Sequence, residues 1–112
     1  MSFLGMLPNR VDVFRATKAG DGAGGTMETW PANPTVSNLR CRLQQRSGDY
    51  RREVAGMEEN ITHMMFCVAN ADIRIGDRVE SGSEKYLVVM RMPVSGHWQT
   101  NHLEIDLRRI EE

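Results

Sequence analysis

Two cysteines, three histidines and a glycine-rich run are the residues of this 112-residue chain best equipped for chemistry. A thiolate beside an imidazole would make a nucleophile and its base. A cluster of the same types could hold zinc. A glycine-rich turn before a helix could cradle phosphate. The spacings support none of these. Cys67 follows His63 by four residues; on a strand both share a face, but about 13 Å apart at roughly 3.3 Å per residue, too far to pair. The spacing does not place Cys41 relative to any histidine. His63, His97 and His102 form no HxxxH pair and the cysteines no CxxC, the local pairs by which zinc sites usually declare themselves. Gly20-Asp21-Gly22-Ala23-Gly24-Gly25 runs into Thr26-Met27, not into Gly-Lys-Ser/Thr, and no helix signal follows. It reads as a hairpin loop. No catalytic, metal or cofactor site is assigned, and the chain is read as a non-enzyme.

The elements that would position these residues are mostly strands. Arg10–Lys18 alternates, with Val11 and Val13 on one face. Thr26–Trp30 returns after the glycine loop, so residues 10–30 read as a long-looped hairpin. Val36–Gln45 follows with Leu39, Cys41 and Leu43 inward. Ile61–Ala69 sets Met64, Phe66 and Val68 against His63, Met65 and Cys67. Gly76-Asp77 opens a strand through Glu80, and Gly82 permits the tight turn. Tyr86-Leu-Val-Val-Met90 is an apolar strand expected to pack on both faces. Pro93-Val-Ser-Gly96 reads as another turn. His97–Arg109 closes the chain, alternating Leu103, Ile105 and Leu107 with Glu104, Asp106 and Arg108.

The period changes between Ser47 and Asn60, where Tyr50, Val54 and Met57 fall at helical spacing and Ser47 or Asp49 can cap the start. The expected fold is therefore mainly β: a small antiparallel barrel or sandwich of six or seven strands, with one short helix inserted around residues 47–58. Residues 1–9 read as an N-terminal arm and 10–112 as a single domain.

Composition narrows the partners. Acids number 15 and bases 14, for a net charge of −1, which argues against a fold that grips nucleic acid through a whole basic face. Lys18 and Lys85 are the only lysines. An arginine bias suits interfaces, and a GC-rich genome explains it equally well. Cys41 and Cys67 read as buried reduced thiols, with a disulfide between adjacent strands also compatible with the spacing. No leader is apparent, and no apolar run approaches the length a membrane helix needs. Trp30 and Trp98 lie near strand ends, as core residues or interface anchors. Arg46, Arg51 and Arg52 form a basic cluster, with Glu53, Glu58 and Glu59 after it, either a solvated face or a contact element.

The order of elements resembles the head–tail joining, or head-closure (stopper), family of long-tailed bacteriophages. Four places carry it: Val11-Asp-Val-Phe-Arg15 leading to Gly24-Gly-Thr-Met-Glu-Thr-Trp30; Gln45–Arg52 before Thr62-His63; Asp72-Ile-Arg-Ile-Gly-Asp-Arg-Val79 with the Gly82 turn and Tyr86-Leu-Val-Val; and His102-Leu-Glu-Ile-Asp-Leu107. The resemblance implies a structural protein of the virion neck, assembled in the host cytoplasm. It implies a sixfold or twelvefold ring of this chain, a portal-adaptor on the head side, a tail terminator or tail tube protein on the tail side, and genomic DNA passing through. Arg46, Asp49, Tyr50, Arg51, Arg52, Glu53, Glu58 and Glu59 are then expected at the lumen or adaptor. Gly20, Asp21, Gly22, Gly24 and Gly25 are expected at a neighbouring subunit or the tail. Gly76, Gly82, Tyr86, Trp30 and Trp98 are expected to be structural. The alternative is an OB- or SH3-like barrel binding nucleic acid or peptide, although its seven aromatics are scattered and do not form a stacking patch.

Overall fold

The computed structural model describes residues 7–20, 22, 24–54, 57–96 and 99–110. Its strands are β1 (Asn9–Phe14), β2 (Thr17–Gly20), β3 (Thr26–Thr29), β4 (Val36–Val54), β5 (Met57–Val68), β6 (Arg78–Ser81), β7 (Glu84–Gly96) and β8 (Gln99–Ile110). Six of them close into an antiparallel barrel in the order β1-β4-β5-β8-β7-β6, and β2-β3 forms a separate two-stranded sheet. Closure removes the free strand edges that a half-buried sheet would otherwise expose.

Period-2 alternation decides what lies inside. Val11, Val13, Cys41, Met65, Cys67, Val79, Tyr86, Val88, Leu103, Ile105 and Leu107 form the core, with Leu39 and Leu43 packed against it. In β1, β4 and β8 the inward residues are those of the apolar faces the alternation marks, and of the two faces of β5 it is Met65 and Cys67 that point inward. Met64, Phe66 and Val68, on the other face of β5, are half-buried. In β7 the register shifts between Val88 and Met90, and this bulge lets adjacent Val88 and Val89 both be buried. Asp106 also departs from the alternation: on the outward side of β8, it is fully buried, in register with Met64 and Met90.

Several boundaries differ from the sequence reading. Among the described residues of 47–58 there is no helix: Ser47–Val54 continues β4, and Val54 pairs with Met57 of β5. Tyr50, Val54 and Met57, whose spacing suggested a helix, lie on this paired stretch of β4 and β5. The long hairpin over 10–30 is two separate things. β1 pairs with β4 and β6, and only the short β2-β3 hairpin carries the glycine loop. Gly76-Asp77 precedes β6 as a turn. Pro93 pairs with Leu103 inside β7 and ends nothing. β6 pairs with β7 only from Glu84 to Leu87, so this part of β7 is paired on the β8 side alone and a missing N–H is tolerated on the other. Of the arm expected over residues 1–9, residues 1–6 lie outside the described residues; Leu7 is buried and Asn9 begins β1.

Gly82 is the turn glycine that the sequence predicts. Its φ is +60° between the partners Ser81 and Glu84, which suits the first central position of a two-residue hairpin loop.

Candidate functional site

The two ends of the barrel are built differently. At one end β4 and β5 leave the barrel together as a ribbon, and side chains seal the points of departure. Asn9 starts β1 opposite Cys41, and its Oδ1 accepts the Leu43 N–H of β4 at 3.0 Å. On the other side β5 is in register with β8 only from His63 onward. There Thr62 Oγ1 accepts the Arg109 N–H at 2.7 Å and donates to the Leu107 carbonyl at 3.5 Å. A hydroxyl thus does what the next ladder bond would have done, which satisfies β8 where β5 peels away. This gives a physical role to the Thr62-His63 pair noted in the sequence.

The ribbon changes course at the same level. Pairing steps from Gln45↔His63 to Tyr50↔Ile61, five residues along β4 against two along β5. Arg46–Asp49 thus face Thr62 alone, a surplus of three residues on β4 that makes a large bulge at the rim, the device by which sheets re-aim a strand. Arg46, half-buried, places Nη2 3.7 Å from Met64 Sδ. Beyond it the rungs are Tyr50↔Ile61, Arg51↔Asn60, Arg52↔Glu59, Glu53↔Glu58 and Val54↔Met57. The expected contact residues Asp49, Tyr50, Arg51, Arg52, Glu53, Glu58 and Glu59 therefore share one projecting ribbon, here defined by its backbone register. Beside its base, His63 packs edge-on to Tyr86 at 4.6 Å and shares a 3.0 Å hydrogen bond with Thr62. Burial lowers the His63 pKa, the nearby Arg109 charge lowers it further, and Glu84 opposes. Arg109 is held by Glu84 in a two-pronged pair at 2.7 and 3.1 Å.

The opposite end is organised by Arg15, just past β1. Its Nε and Nη2 donate to the two oxygens of Asp77 at 3.1 and 3.0 Å, while Nη1 and Nη2 reach Asp72 at 3.4 and 3.0 Å. Asp77 is 2% exposed and also accepts the Arg74 N–H at 2.9 Å. Gly76, at φ +93°, lets the turn present its N–H to the Val88 carbonyl at 2.9 Å. Hydrogen bonds from Arg15 hold the Asp72 pKa below its usual value, and those to Asp77 and Asp72 raise that of Arg15. In the sequence Arg15, Asp72 and Asp77 stand in separate motifs. They lie 57 and 62 residues apart, and local periodicity carries no signal for such a pairing.

The β2-β3 sheet lies at this end too, with Lys18 opposite Glu28 and 3.8 Å between their charged atoms. Gly20 ends β2, and Gly22 and Gly24 adopt φ of +82° and +90°, which glycine accepts without strain. Gly25 precedes β3, and Asp21 lies outside the described residues, as does Trp98. Trp30 leaves β3 to stack under Arg78, whose guanidinium carbon is 4.6 Å from the ring centroid.

The cysteines are cross-strand partners, Cys41↔Cys67, both free and buried. Burial pushes their thiols up to about 12 and about 11, so neither is a ready nucleophile at neutral pH.

No protein-family model matches the chain, and no curated protein matches it. Among solved structures, its fold is similar to that of the phage-like element PBSX protein xkdH from Bacillus subtilis. The two share 17% sequence identity at a TM-score of 0.59, over 90% of this chain and 92% of that one.

Proposed function

We propose that this chain is a structural protein of a phage virion, acting at the neck as a ring-forming head-closure subunit. The observation that carries the reading is the near-full-length likeness in fold to a protein of a phage-like element, joined to the ordered motifs from Val11 to Leu107. In this reading copies of the chain form a sixfold or twelvefold ring below the portal-adaptor, help retain packaged DNA, and offer the tail terminator or tail tube a surface. The architecture suits such work. A closed barrel supplies a rigid body, and the β4-β5 ribbon and β2-β3 sheet supply contacts that do not disturb its core. The near-neutral charge suits a channel through which DNA must slide, because many phosphate contacts would hold it back.

The ribbon tests the proposal, because its departure points are sealed independently of its tip. Replacing residues 48–57 with a short turn should leave the circular dichroism of the barrel intact. Particles assembled with that variant should leak DNA or lack tails. Normal yields of infectious particles would overturn the reading. Salt-dependent DNA binding by the isolated monomer would instead favour a nucleic-acid-binding barrel.

A further inference from the structure

One stretch of strand edge survives the closure of the barrel. β6 pairs with β7 only from Glu84 to Leu87. One residue further on, the Val88 N–H donates to the Asp77 carbonyl at 2.8 Å and the Val88 carbonyl accepts the Gly76 N–H at 2.9 Å. From Met90 to Gly96, β7 is paired with β8 and, among the described residues, has no strand on its other side. Pro93, opposite Leu103, fixes which groups are left there. It has no N–H, so it is tolerated where its nitrogen turns away from β8. Period two then turns the N–H and C=O of Arg91, opposite Ile105, the same way. The bare edge offers a donor and an acceptor at Arg91 and a further acceptor at Pro93.

Arg91 and residues 71–75, which follow β5, line an open groove of about 600 Å³. Ile75 in its lining is 56% exposed. The groove's carboxylate, Asp72, is held by Arg15 at 3.0 Å. Among the described residues neither the Arg74 nor the Arg91 guanidinium has an ion pair. Arg74 and Ile75 also line an adjoining hollow of about 220 Å³, where Arg15 answers Asp77 and Lys18 answers Glu28. The uncompensated charge here is therefore positive, and it lies beside an unpaired strand edge and an exposed aliphatic side chain.

We propose that this groove binds an extended acidic segment of a partner protein as an added strand. The segment's backbone pairs with Arg91, its carboxylates reach the Arg74 and Arg91 guanidinium groups, and an aliphatic side chain covers Ile75. Alternating acidic and aliphatic residues suit the site, because successive side chains of a strand take opposite sides. Phosphates would satisfy the arginines but leave the Arg91 backbone groups and Ile75 without a counterpart, so a peptide fits better than a nucleic-acid strand. Pro93 withholds the next donor, which keeps the addition short and guards the edge against open-ended pairing between copies of the chain. The inference goes beyond the neck reading and does not depend on it.

Fluorescence anisotropy with a labelled, capped heptapeptide Glu-Val-Glu-Val-Glu-Val-Glu tests it on the full chain. The peptide should bind saturably at low ionic strength. Arg74→Glu combined with Arg91→Glu should weaken binding by at least about tenfold, because like charges replace opposite ones. Arg42 is exposed on β4 and outside the groove, and Arg42→Glu should leave binding unchanged. Arg74 is exposed where Arg91 is half-buried, so Arg74→Glu alone, with a loss of at least about threefold, serves if the double variant fails to fold. Strand addition has its own readout. The Arg91 amide should exchange more slowly in the complex, and the same peptide N-methylated at every residue should bind at least about tenfold more weakly, having lost its backbone donors. No saturable binding, equal binding by the groove variants or by the N-methylated peptide, or an unchanged Arg91 amide would each overturn the proposal. So would displacement of the peptide by oligothymidylate at equal or lower concentration, the mark of a phosphate site. Self-association of the chain that the groove variants abolish would overturn it too, by making a second copy the occupant.

Discussion

Replacing Arg15 with alanine should be among the most destabilising single changes outside the apolar core. The substitution removes both donors that Arg15 gives to Asp77, whose side chain is 3% exposed. Hydrogen bonds to charged groups contribute about 1.5–3 kcal/mol net each, and stranding one partner of a buried ion pair costs about 3–5 kcal/mol. Two features lower the estimate. The Arg15 side chain is itself 24% exposed, so water can enter its place, and Asp77 keeps the Arg74 N–H. The expected loss is therefore about 2–3 kcal/mol. At a little under 4–8 °C per kcal/mol for a domain of this size, Tm should fall by about 8–15 °C. Urea titration followed by circular dichroism measures the loss directly, with an unchanged m-value showing that the unfolding reaction is the same. Arg15→Lys keeps the charge without the fork and should recover only part of the stability. Asp72→Ala removes the exposed arm and should cost clearly less than Arg15→Ala. Combining Arg15→Ala with Asp77→Asn should be markedly less damaging than the sum of the two. If Arg15→Ala lies within about 0.5 kcal/mol of the unmodified chain, the range of an ordinary surface change, or if Asp72→Ala matches it, the Arg15–Asp77 pair is not what fixes this end of the barrel.

Other predictions follow from particular sites. Gly82→Val forces a branched side chain to φ +60° and should cost about 1–2 kcal/mol in urea titrations. His63 has its pKa lowered by burial, so the unfolded chain takes up a proton first as pH falls. Stability from this group is full above the unfolded value near 6.5 and declines as pH drops from there toward the lower folded value. Urea midpoints at pH 7.5 and 5.5 should show that decline, and His63→Gln should flatten it. Thr62→Val keeps the shape but loses the hydroxyl that accepts the Arg109 N–H, and should cost about 1–2 kcal/mol and speed amide exchange at Arg109. Cys41 and Cys67, with thiols pushed up to about 12 and about 11, should resist a thiol reagent at pH 8 until the barrel unfolds, with labelling that rises along the urea unfolding curve.

The legible parts of the fold were those whose residues face a core. Val11 and Val13, Leu39 through Leu43, Met65 and Cys67, and Leu103 through Leu107 alternate because one side of each strand is buried and the other is not. Gly82 was legible because few residues accept its backbone conformation. The ribbon was not, because its sequence is mostly polar and shows no period-2 alternation, while three apolar residues fall at helical spacing. Pro93 misled for a related reason: a proline is tolerated in a strand that has a neighbour on one side only. The site residues divide the same way. Composition singled out Arg46–Glu59 as a polar excursion, and the register turned it into a ribbon with defined rungs. Arg15, Asp72, Asp77, Arg74 and Arg91 come together only through closure of the barrel, which pairings across dozens of residues decide.

The most direct test of the proposed neck role is electron microscopy of particles produced by the genome that carries this gene, assembled with the protein absent and with it supplied in trans. Heads that have lost their DNA and carry no tails, restored to full tailed particles by the supplied protein, are the expected result. Full, tailed, infectious particles in its absence would contradict the account.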